Sequence, residues 1–301
     1  MSGIDVQHIY KSFGPVQAVN DVTFSVEPGE IFGLLGPNGA GKTTTIRIIL
    51  DIFKPDQGSV SVLGGAVTEE TKNVIGYLPE ERGLYQEIPL ERCLVYLATL
   101  KGLHTAEARH RVDEYLERFE LAAYRRKNVK ELSKGMQQKA QLITALVHRP
   151  RLLVIDEPFS ALDPVNTQMV KELLREQRDQ GVVVVMCTHQ MHQVEELCDR
   201  LVLINRGRAV LYGTLNDIRR QFAGQELLVR SHAPLPEQIS GVGMVEPING
   251  TVRLHLAEGA TPQSVLRELV DRNVPLEQFE VAVPTLDEIF IQVVQQETGQ
   301  A

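Results

Sequence analysis

A run of eight residues combines glycines with a lysine and a hydroxyl side chain at a spacing that binds phosphate. It matches the pattern GxxxxGK[ST] and lies between an apolar run, Ile31–Leu35, and a helical pattern, Thr43–Phe53. Glycines let backbone N–H groups point inward, and the start of the helix adds free N–H groups and a positive dipole end. Lys42 is placed to reach the β- and γ-phosphates, and the Thr43 hydroxyl to bind Mg²⁺. The predicted nucleotide-binding residues are Gly36, Pro37, Asn38, Gly39, Ala40, Gly41, Lys42, Thr43 and Thr44.

Two carboxylates end a second apolar run, Leu152–Ile155. Asp156 stands where a phosphate-loop enzyme makes its second contact to Mg²⁺. Glu157, one residue further, is a candidate general base for the attacking water. Two acids at a strand end are as often merely solvated as functional, but a phosphate loop in the same chain favours the catalytic interpretation.

A histidine follows a third apolar run, Val182–Cys187. We expect this strand in the same sheet as the strand before the phosphate loop, so His189 is predicted to contact the γ-phosphate and is the third catalytic candidate beside Lys42 and Glu157. His189 and His192 also form an HxxH pair, but no third ligand is nearby, which disfavours a metal site there.

Composition limits the class of protein. The 301 residues suggest two domains, and a net charge of −8 argues against a general nucleic-acid binder. The three cysteines form no CxxC pair, which indicates free buried thiols in a reducing cytosol. The apolar runs are too short to span a bilayer and the N-terminus lacks a signal-peptide pattern, so we expect neither an integral membrane chain nor a secreted one.

Apolar strands alternate with helical patterns, which predicts a mostly parallel sheet with covering helices. Helical periodicity dominates from Pro89 to His148, and Leu201–Ile204 with Ala209–Tyr212 indicates a hairpin. The sequence pattern changes after about Gln221, where residues rich in proline and glycine and short alternating segments follow. We therefore predict two domains, residues 1–220 and residues 221–301, and the second is a small α/β domain. Its predicted elements are strands at Val252–Leu256 and Phe279–Val283 and helices at Pro262–Arg272 and Pro284–Val294.

Taken in chain order, these motifs resemble the nucleotide-binding subunit of an ABC transporter over about residues 4–220. The whole set in register is more specific than any single motif. The segments that carry the resemblance are Gly36–Thr43 (Walker A), Leu132–Gln138 (signature), Leu152–Asp156 (Walker B) with Glu157 as catalytic glutamate, Ser160–Asp163 (D-loop) and His189 (switch histidine).

The resemblance implies an α/β P-loop NTPase of the ABC type, with a mixed sheet core, an antiparallel β subdomain and an α-helical subdomain, followed by the small C-terminal domain. It implies ATP and Mg²⁺ as ligands, with ATP held between two subunits. Ser133 and Gly135, at the start of a helix running to about His148, would contact the ATP of the opposite subunit. Asp163, in the D-loop, is a further candidate nucleotide-binding residue. Phe13, with Tyr10 as a weaker candidate, would stack on adenine. The alternatives are a capped surface helix and a core role for Phe13.

Two departures from the family pattern stand out. Glu80 follows Ile75–Pro79 where the family usually has the Q-loop glutamine; its carboxylate can bind Mg²⁺ or its water but adds negative charge near the phosphates. Lys134 and Met136 depart from the usual signature. The segments Tyr77–Tyr85 and Pro284–Phe290 resemble a bacterial and archaeal branch linked to sodium and drug export.

The resemblance implies a peripheral ATPase on the cytoplasmic face of the membrane, dimerising on ATP as a homodimer and driving a permease that is a separate chain. Leu84–Pro89 and Asn128–Glu131 are the expected permease contacts, and the tail has an open role in dimerisation, regulation or permease contact. One alternative is a soluble ABC ATPase in repair or translation, which normally carries long insertions or a second ATPase unit. Another is a non-hydrolysing regulatory module, against which Asp156, Glu157 and His189 argue.

Overall fold

The computed structural model describes residues 2–81, 83–222, 226–248, 250–257 and 259–298. The chain divides into two compact units, residues 1–213 and 214–301, whereas the sequence placed the boundary after residue 220. Arg82, inside the Tyr77–Tyr85 segment, and residues 223–225 and 299–301 of the predicted tail domain lie outside the described residues.

The first unit alternates strands and helices along the chain. Its strands are β1 Ile4–Phe13, β2 Val16–Val26, β3 Ile31–Leu35, β4 Gln57–Val62, β5 Ile75–Leu78, β6 Leu152–Asp156, β7 Val183–Thr188, β8 Arg200–Asn205 and β9 Arg208–Thr214. Its helices are α1 Lys42–Ile49, α2 Glu69–Asn73, α3 Leu90–Leu100, α4 Thr105–Arg118, α5 Lys134–Leu146, α6 Pro164–Asp179 and α7 Met191–Leu197, with 3₁₀ turns at Ala122–Tyr124 and Val129–Glu131.

A six-stranded sheet in the order β5-β6-β7-β3-β8-β9 forms the centre of this unit. The pairs β5/β6, β6/β7, β3/β7 and β3/β8 are parallel, which confirms the predicted mostly parallel sheet. Every residue of β3, β6 and β7 is buried. This burial agrees with their continuous apolar sequences, which are typical of strands in a sheet that is covered on both faces. Because parallel strands end at the same edge, Leu35 pairs with Thr188 and Asp156 with Cys187, and the motifs after these strands meet there.

A second, antiparallel sheet in the order β2-β1-β4 shares a hydrophobic core with the first. Helices α3, α4 and α5 pack on one another and form the helical part of the unit. These two features confirm the predicted antiparallel and helical subdomains. The predicted helical stretch from Pro89 to His148 is divided, since Gly102 and Glu120 adopt left-handed conformations at the ends of α3 and α4.

The second unit contains helix α8 Leu215–Phe222, strands β10 Glu226–Ser231, β11 Val242–Ile248 and β12 Thr251–Leu256, helix α9 Pro262–Asp271, strand β13 Leu276–Val281 and helix α10 Leu286–Thr298. Its sheet is antiparallel throughout, in the order β11-β12-β10-β13. Leu227, Leu254 and Leu269 belong to a core of its own. The unit is the small α/β domain that the sequence predicts.

Among the described residues, no helix combines the length and apolar character needed to cross a membrane. Cys93, Cys187 and Cys198 are buried free thiols, as their spacing predicts.

Candidate active site

The glycine-rich loop joins β3 to α1 and packs closely against its neighbours. A Cβ atom on Gly36 would lie 2.1 Å from the carbonyl oxygen of Ile204, and one on Gly41 would lie 2.4 Å from that of Ala18. Both glycines also have positive φ, 148° and 108°. Only glycine meets both conditions, so the backbone path of the loop depends on these two residues.

Lys42 begins α1 and turns its side chain back over the loop. Its Nζ donates hydrogen bonds to the carbonyl oxygens of Gly36 at 2.8 Å and Pro37 at 3.0 Å. The residue is only 8% exposed. A buried ammonium held by carbonyls alone leaves a net positive charge inside the loop, and a phosphate group satisfies that charge.

A cleft of about 260 Å³ opens beside this loop. It brings together phosphate-loop residues and the predicted metal-binding and catalytic carboxylates of Glu80, Asp156 and Glu157. The lining residues are Ala18, Asn38, Gly39, Gly41, Lys42, Thr43, Thr44, Glu80, Asp156 and Glu157. The predicted ligand residues outside this lining are Phe13, Gly36, Pro37, Ala40, Ser133, Gly135 and Asp163.

Asp156 is the last residue of β6 and is 3% exposed. Its Oδ2 atom is buried without a hydrogen-bond partner. Burial raises the pKa of Asp156, and the Glu80 and Glu157 carboxylates raise it further, against the opposing effects of the Cys187 thiol and Lys42. This buried carboxylate oxygen accepts no hydrogen bond, and the Thr43 hydroxyl and the Glu80 carboxylate line the same cleft. Oxygen atoms of this kind are the ligands that Mg²⁺ prefers.

Glu157 follows with a left-handed backbone, φ 51°, and a side chain that is 11% exposed. Its Oε1 accepts hydrogen bonds from the backbone N–H of His189 at 3.0 Å and from His189 Nδ1 at 2.6 Å. Its Oε2 accepts one from the Thr188 hydroxyl at 3.1 Å. The His189 side chain is thus hydrogen-bonded to the Glu157 carboxylate, and the residues at the end of β7 fix the orientation of the candidate base. Contact of His189 with a γ-phosphate stays a prediction.

The start of α5 is capped as the sequence predicts. Ser133 Oγ accepts a hydrogen bond from the backbone N–H of Met136 at 3.2 Å. A Cβ on Gly135 would lie 2.9 Å from the carbonyl oxygen of Ala161, so this turn packs against the loop after Glu157. Asp163 caps α6 in the same way, accepting from the backbone N–H of Asn166 at 2.9 Å.

Phe13 ends β1 and is 44% exposed, so the alternative of a core residue is wrong. Its ring meets the edge of Phe53 at 5.4 Å between centroids, and Lys11 Nζ lies 5.7 Å from its centroid. An exposed aromatic face held by a second ring is suited to stacking on a base. Its role toward adenine stays a prediction.

Two residues that contact Glu157 were missed by the sequence analysis. Thr188 holds the carboxylate, and Gln138 Nε2 donates to the backbone oxygens of Glu157 at 3.3 Å and Pro158 at 3.2 Å. The position of Thr188 directly before His189 was the available signal. Gln138 ends the signature segment Leu132–Gln138, but its contact with Glu157 carried no local signal, because the two residues lie 19 positions apart in the sequence.

Comparison with known proteins identifies the families that the two parts of the chain match. Residues 19–160 match the ABC transporter family, and residues 213–294 match the C-terminal domain of DrrA1-3-like ATP-binding proteins. The chain is 40% identical over 294 residues to the uncharacterized ABC transporter ATP-binding protein YhaQ of Bacillus subtilis, covering 97% of this chain and 98% of that protein. It is 36% identical over 231 residues to the Nod factor export ATP-binding protein I of Rhizobium etli, covering 76% of this chain and 73% of that protein.

A solved structure of an ATP binding subunit of an ABC transporter is also similar. It shares 36% identity and superposes with a TM-score of 0.69, covering 73% of this chain and 92% of that one.

Proposed function

Since the chain belongs to the ABC transporter ATP-binding proteins, a family of ATPases, we propose that its phosphate-loop cleft hydrolyses Mg²⁺-ATP with Glu157 as the general base. The observation that carries this assignment is the position of the Glu157 carboxylate. It lines the same cleft as Lys42 and is oriented by Thr188 and His189. A base oriented by neighbouring groups and close to a phosphate site is what water activation needs.

Each side chain then has a defined task. The loop N–H groups and the Lys42 ammonium bind the phosphates and stabilise their growing negative charge. The Glu157 carboxylate accepts a proton from the attacking water, while the His189 imidazole keeps that carboxylate in place. Phe13 stacks on the adenine ring.

Magnesium fits the oxygen donors that the cleft offers. Asp156 Oδ2 lacks a donor, and the Thr43 hydroxyl and the Glu80 carboxylate line the same space. When bound there, the ion neutralises charge on the β- and γ-phosphates. Glu80 stands where the family usually has glutamine, so this site carries one more negative charge than the usual family pattern.

The site is complete only when a second subunit contributes to it. Ser133 and Gly135 lie outside the cleft lining, at the N-terminus of a thirteen-residue helix with a positive dipole end. In a head-to-tail pair of this chain, these residues and Asp163 would face the ATP bound by the other copy. We therefore expect a homodimer that closes over two ATP molecules and reopens after hydrolysis.

Closure of this dimer would drive a membrane permease encoded as a separate chain, with this protein peripheral on the cytoplasmic face. Leu84–Pro89 and Asn128–Glu131 are the proposed permease contacts, and a backbone hydrogen bond from Val129 to Ile88 joins them. The similarity to a Nod factor export protein supports export as the direction. The drug or sodium type of export rests on the resemblance of Tyr77–Tyr85 and Pro284–Phe290 to that branch of the family.

Steady-state ATP hydrolysis by Glu157→Gln tests the proposed chemistry. We expect turnover to fall by about 10²–10⁴-fold, the usual contribution of a general base, while ATP still binds. Glu172→Gln, an exposed glutamate on α6, is the control and should keep wild-type turnover. Full activity of Glu157→Gln would remove the assigned base. Glu80→Gln, with Glu81→Gln as its control, tests the metal role: an unchanged Mg²⁺ requirement in Glu80→Gln would contradict it.

A further inference from the structure

The backbone at Glu157 adopts a conformation that glutamate takes up only when its surroundings hold it. Its φ of 51° lies in the left-handed region, which is unfavourable for residues with a Cβ, and the next residue is a proline that restricts it further. On one side, the Glu157 N–H donates to the carbonyl oxygen of Cys187 at 2.9 Å. That hydrogen bond fixes the N–H side of Glu157, so the carbonyl side of the residue needs a second contact to hold it.

Gln138 holds it from the opposite direction. Its side chain lies on α5, is 9% exposed, and donates from one amide nitrogen to the carbonyl oxygens of both Glu157 and Pro158, at 3.3 and 3.2 Å. Within the part of the chain that the structure describes, the hydrogen bonds to the Glu157 carboxylate come from Thr188 and His189 at the end of β7. The base is thus oriented by two separate elements, the side chain by β7 and the backbone by α5.

We propose that Gln138 is a positioning residue for ATP hydrolysis, which holds the peptide that carries Glu157 and ties the general base to the helix that begins at Ser133. This inference rests on the proposed role of Glu157. A displacement of about 1 Å in a reacting group is enough to lower a rate by about a hundredfold.

Two further contacts support the mechanical connection. The Gly135 turn meets the carbonyl oxygen of Ala161, and Lys139 Nζ donates to Asn166 Oδ1 at 3.1 Å. Both partners lie in the segment that follows Glu157. Gly135, Gln138 and Lys139 make these contacts within about one turn of α5. A shift of α5, such as an anion binding at its N-terminus would cause, is therefore passed to the base of the same chain.

The test compares two glutamines of α5 that are similarly buried. Gln138→Met removes the bonds to Glu157 and Pro158, whereas Gln141→Met removes a bond to the carbonyl oxygen of Glu81, 3.3 Å away. Methionine keeps the length and helix propensity of the side chain. We expect kcat to fall about 10- to 100-fold in Gln138→Met, with KM for ATP within threefold of wild type. Gln141→Met should keep kcat within threefold, and thermal unfolding should show a similar loss of stability in both.

A double-variant cycle separates positioning from a general structural effect. If Gln138 acts through the Glu157 carboxylate, Glu157→Gln/Gln138→Met retains the same residual turnover as Glu157→Gln alone. A further tenfold loss in the double variant, or unchanged kcat in Gln138→Met, would overturn the inference. ATP binding measured on every variant by fluorescence titration establishes that the cleft is folded.

The two failures are distinguishable. Full turnover in Glu157→Gln would end both the proposed base and the inference that depends on it. An inactive Glu157→Gln together with a fully active Gln138→Met would end only the inference.

Discussion

Replacing Asp156 by asparagine should stabilise the protein and at the same time remove its response to Mg²⁺-ATP. Asp156 is almost wholly buried and its Oδ2 has no donor. Leaving a buried polar atom unpaired costs about 1–3 kcal/mol, and more when the group is charged. Asparagine keeps the shape and removes the charge, so the free energy of unfolding without nucleotide should rise by about 1–3 kcal/mol. For a domain of this size that corresponds to an unfolding midpoint about 2–12 °C higher.

The pH dependence of this difference follows from the raised pKa of Asp156. Above its folded-state pKa the carboxylate is ionised in both states, and the cost of burying its charge is fully present. As the pH falls through that pKa toward the ordinary value of 3.8, the folded state takes up the proton first and the cost disappears. The stability advantage of Asp156→Asn should therefore shrink as the pH is lowered toward 4.

Thermal unfolding with and without Mg²⁺-ATP measures both effects. At a concentration one hundred times its Kd, a ligand adds about 2.7 kcal/mol to the wild-type protein, and Asp156→Asn should lose most of that gain. Asp179→Asn, an exposed carboxylate beside Arg178, is the control and should change stability by less than about 0.5 kcal/mol. An Asp156→Asn protein that is less stable without nucleotide, or equally stabilised by Mg²⁺-ATP, would refute this reasoning.

Three further substitutions test other parts of the structure. Burial lowers the pKa of His148 to about 4, so about 3 kcal/mol of the free energy of unfolding should be lost as the pH falls from 6.5 to 4. His148→Gln can still donate to the Ile75 carbonyl oxygen but cannot take up a proton. Urea titrations of this variant should therefore show no such loss over the same pH range. Ser133→Ala should lower the free energy of unfolding by about 1 kcal/mol through the lost bond to Met136 and weaken ATP-dependent dimerisation in sedimentation experiments; unchanged dimerisation would count against the role of α5. Phe13→Leu should weaken ATP and GTP binding alike by about 1–3 kcal/mol, and a loss confined to ATP would argue against simple stacking.

The chemical groups of the site were predictable from sequence because each follows a strand or begins a helix. The ends of β3 and β6 carry Gly36 and Asp156, and parallel pairing brings both to one edge. The cap at Ser133 was predictable for the same local reason. Only some of the contacts that hold Glu157 could be predicted from the sequence. Gln138 reaches Glu157 through a tertiary contact, which no local sequence pattern indicates.

The errors in the fold also have physical causes. Strands β10 and β11 were both missed. Gly243 and Pro247 interrupt the pattern of β11, whereas β10 contains neither glycine nor proline and is a short run of six residues. Strand β11 tolerates Pro247 because it is at the edge of its sheet, where one side of the backbone needs no partner. The sequence of β1 alternates only weakly between apolar and polar residues, because register shifts after Val6 and Ile9 interrupt the two-residue period of the strand.

The central claim is that ATP closes two copies of this chain and that Glu157 reopens them by hydrolysis. Light scattering of Glu157→Gln and wild type, each mixed with Mg²⁺-ATP, tests it most directly. The account predicts a lasting dimer of Glu157→Gln with ATP and a monomer with ADP, whereas wild type returns to monomer as its ATP is consumed. A Glu157→Gln protein that binds ATP and stays monomeric would contradict the account.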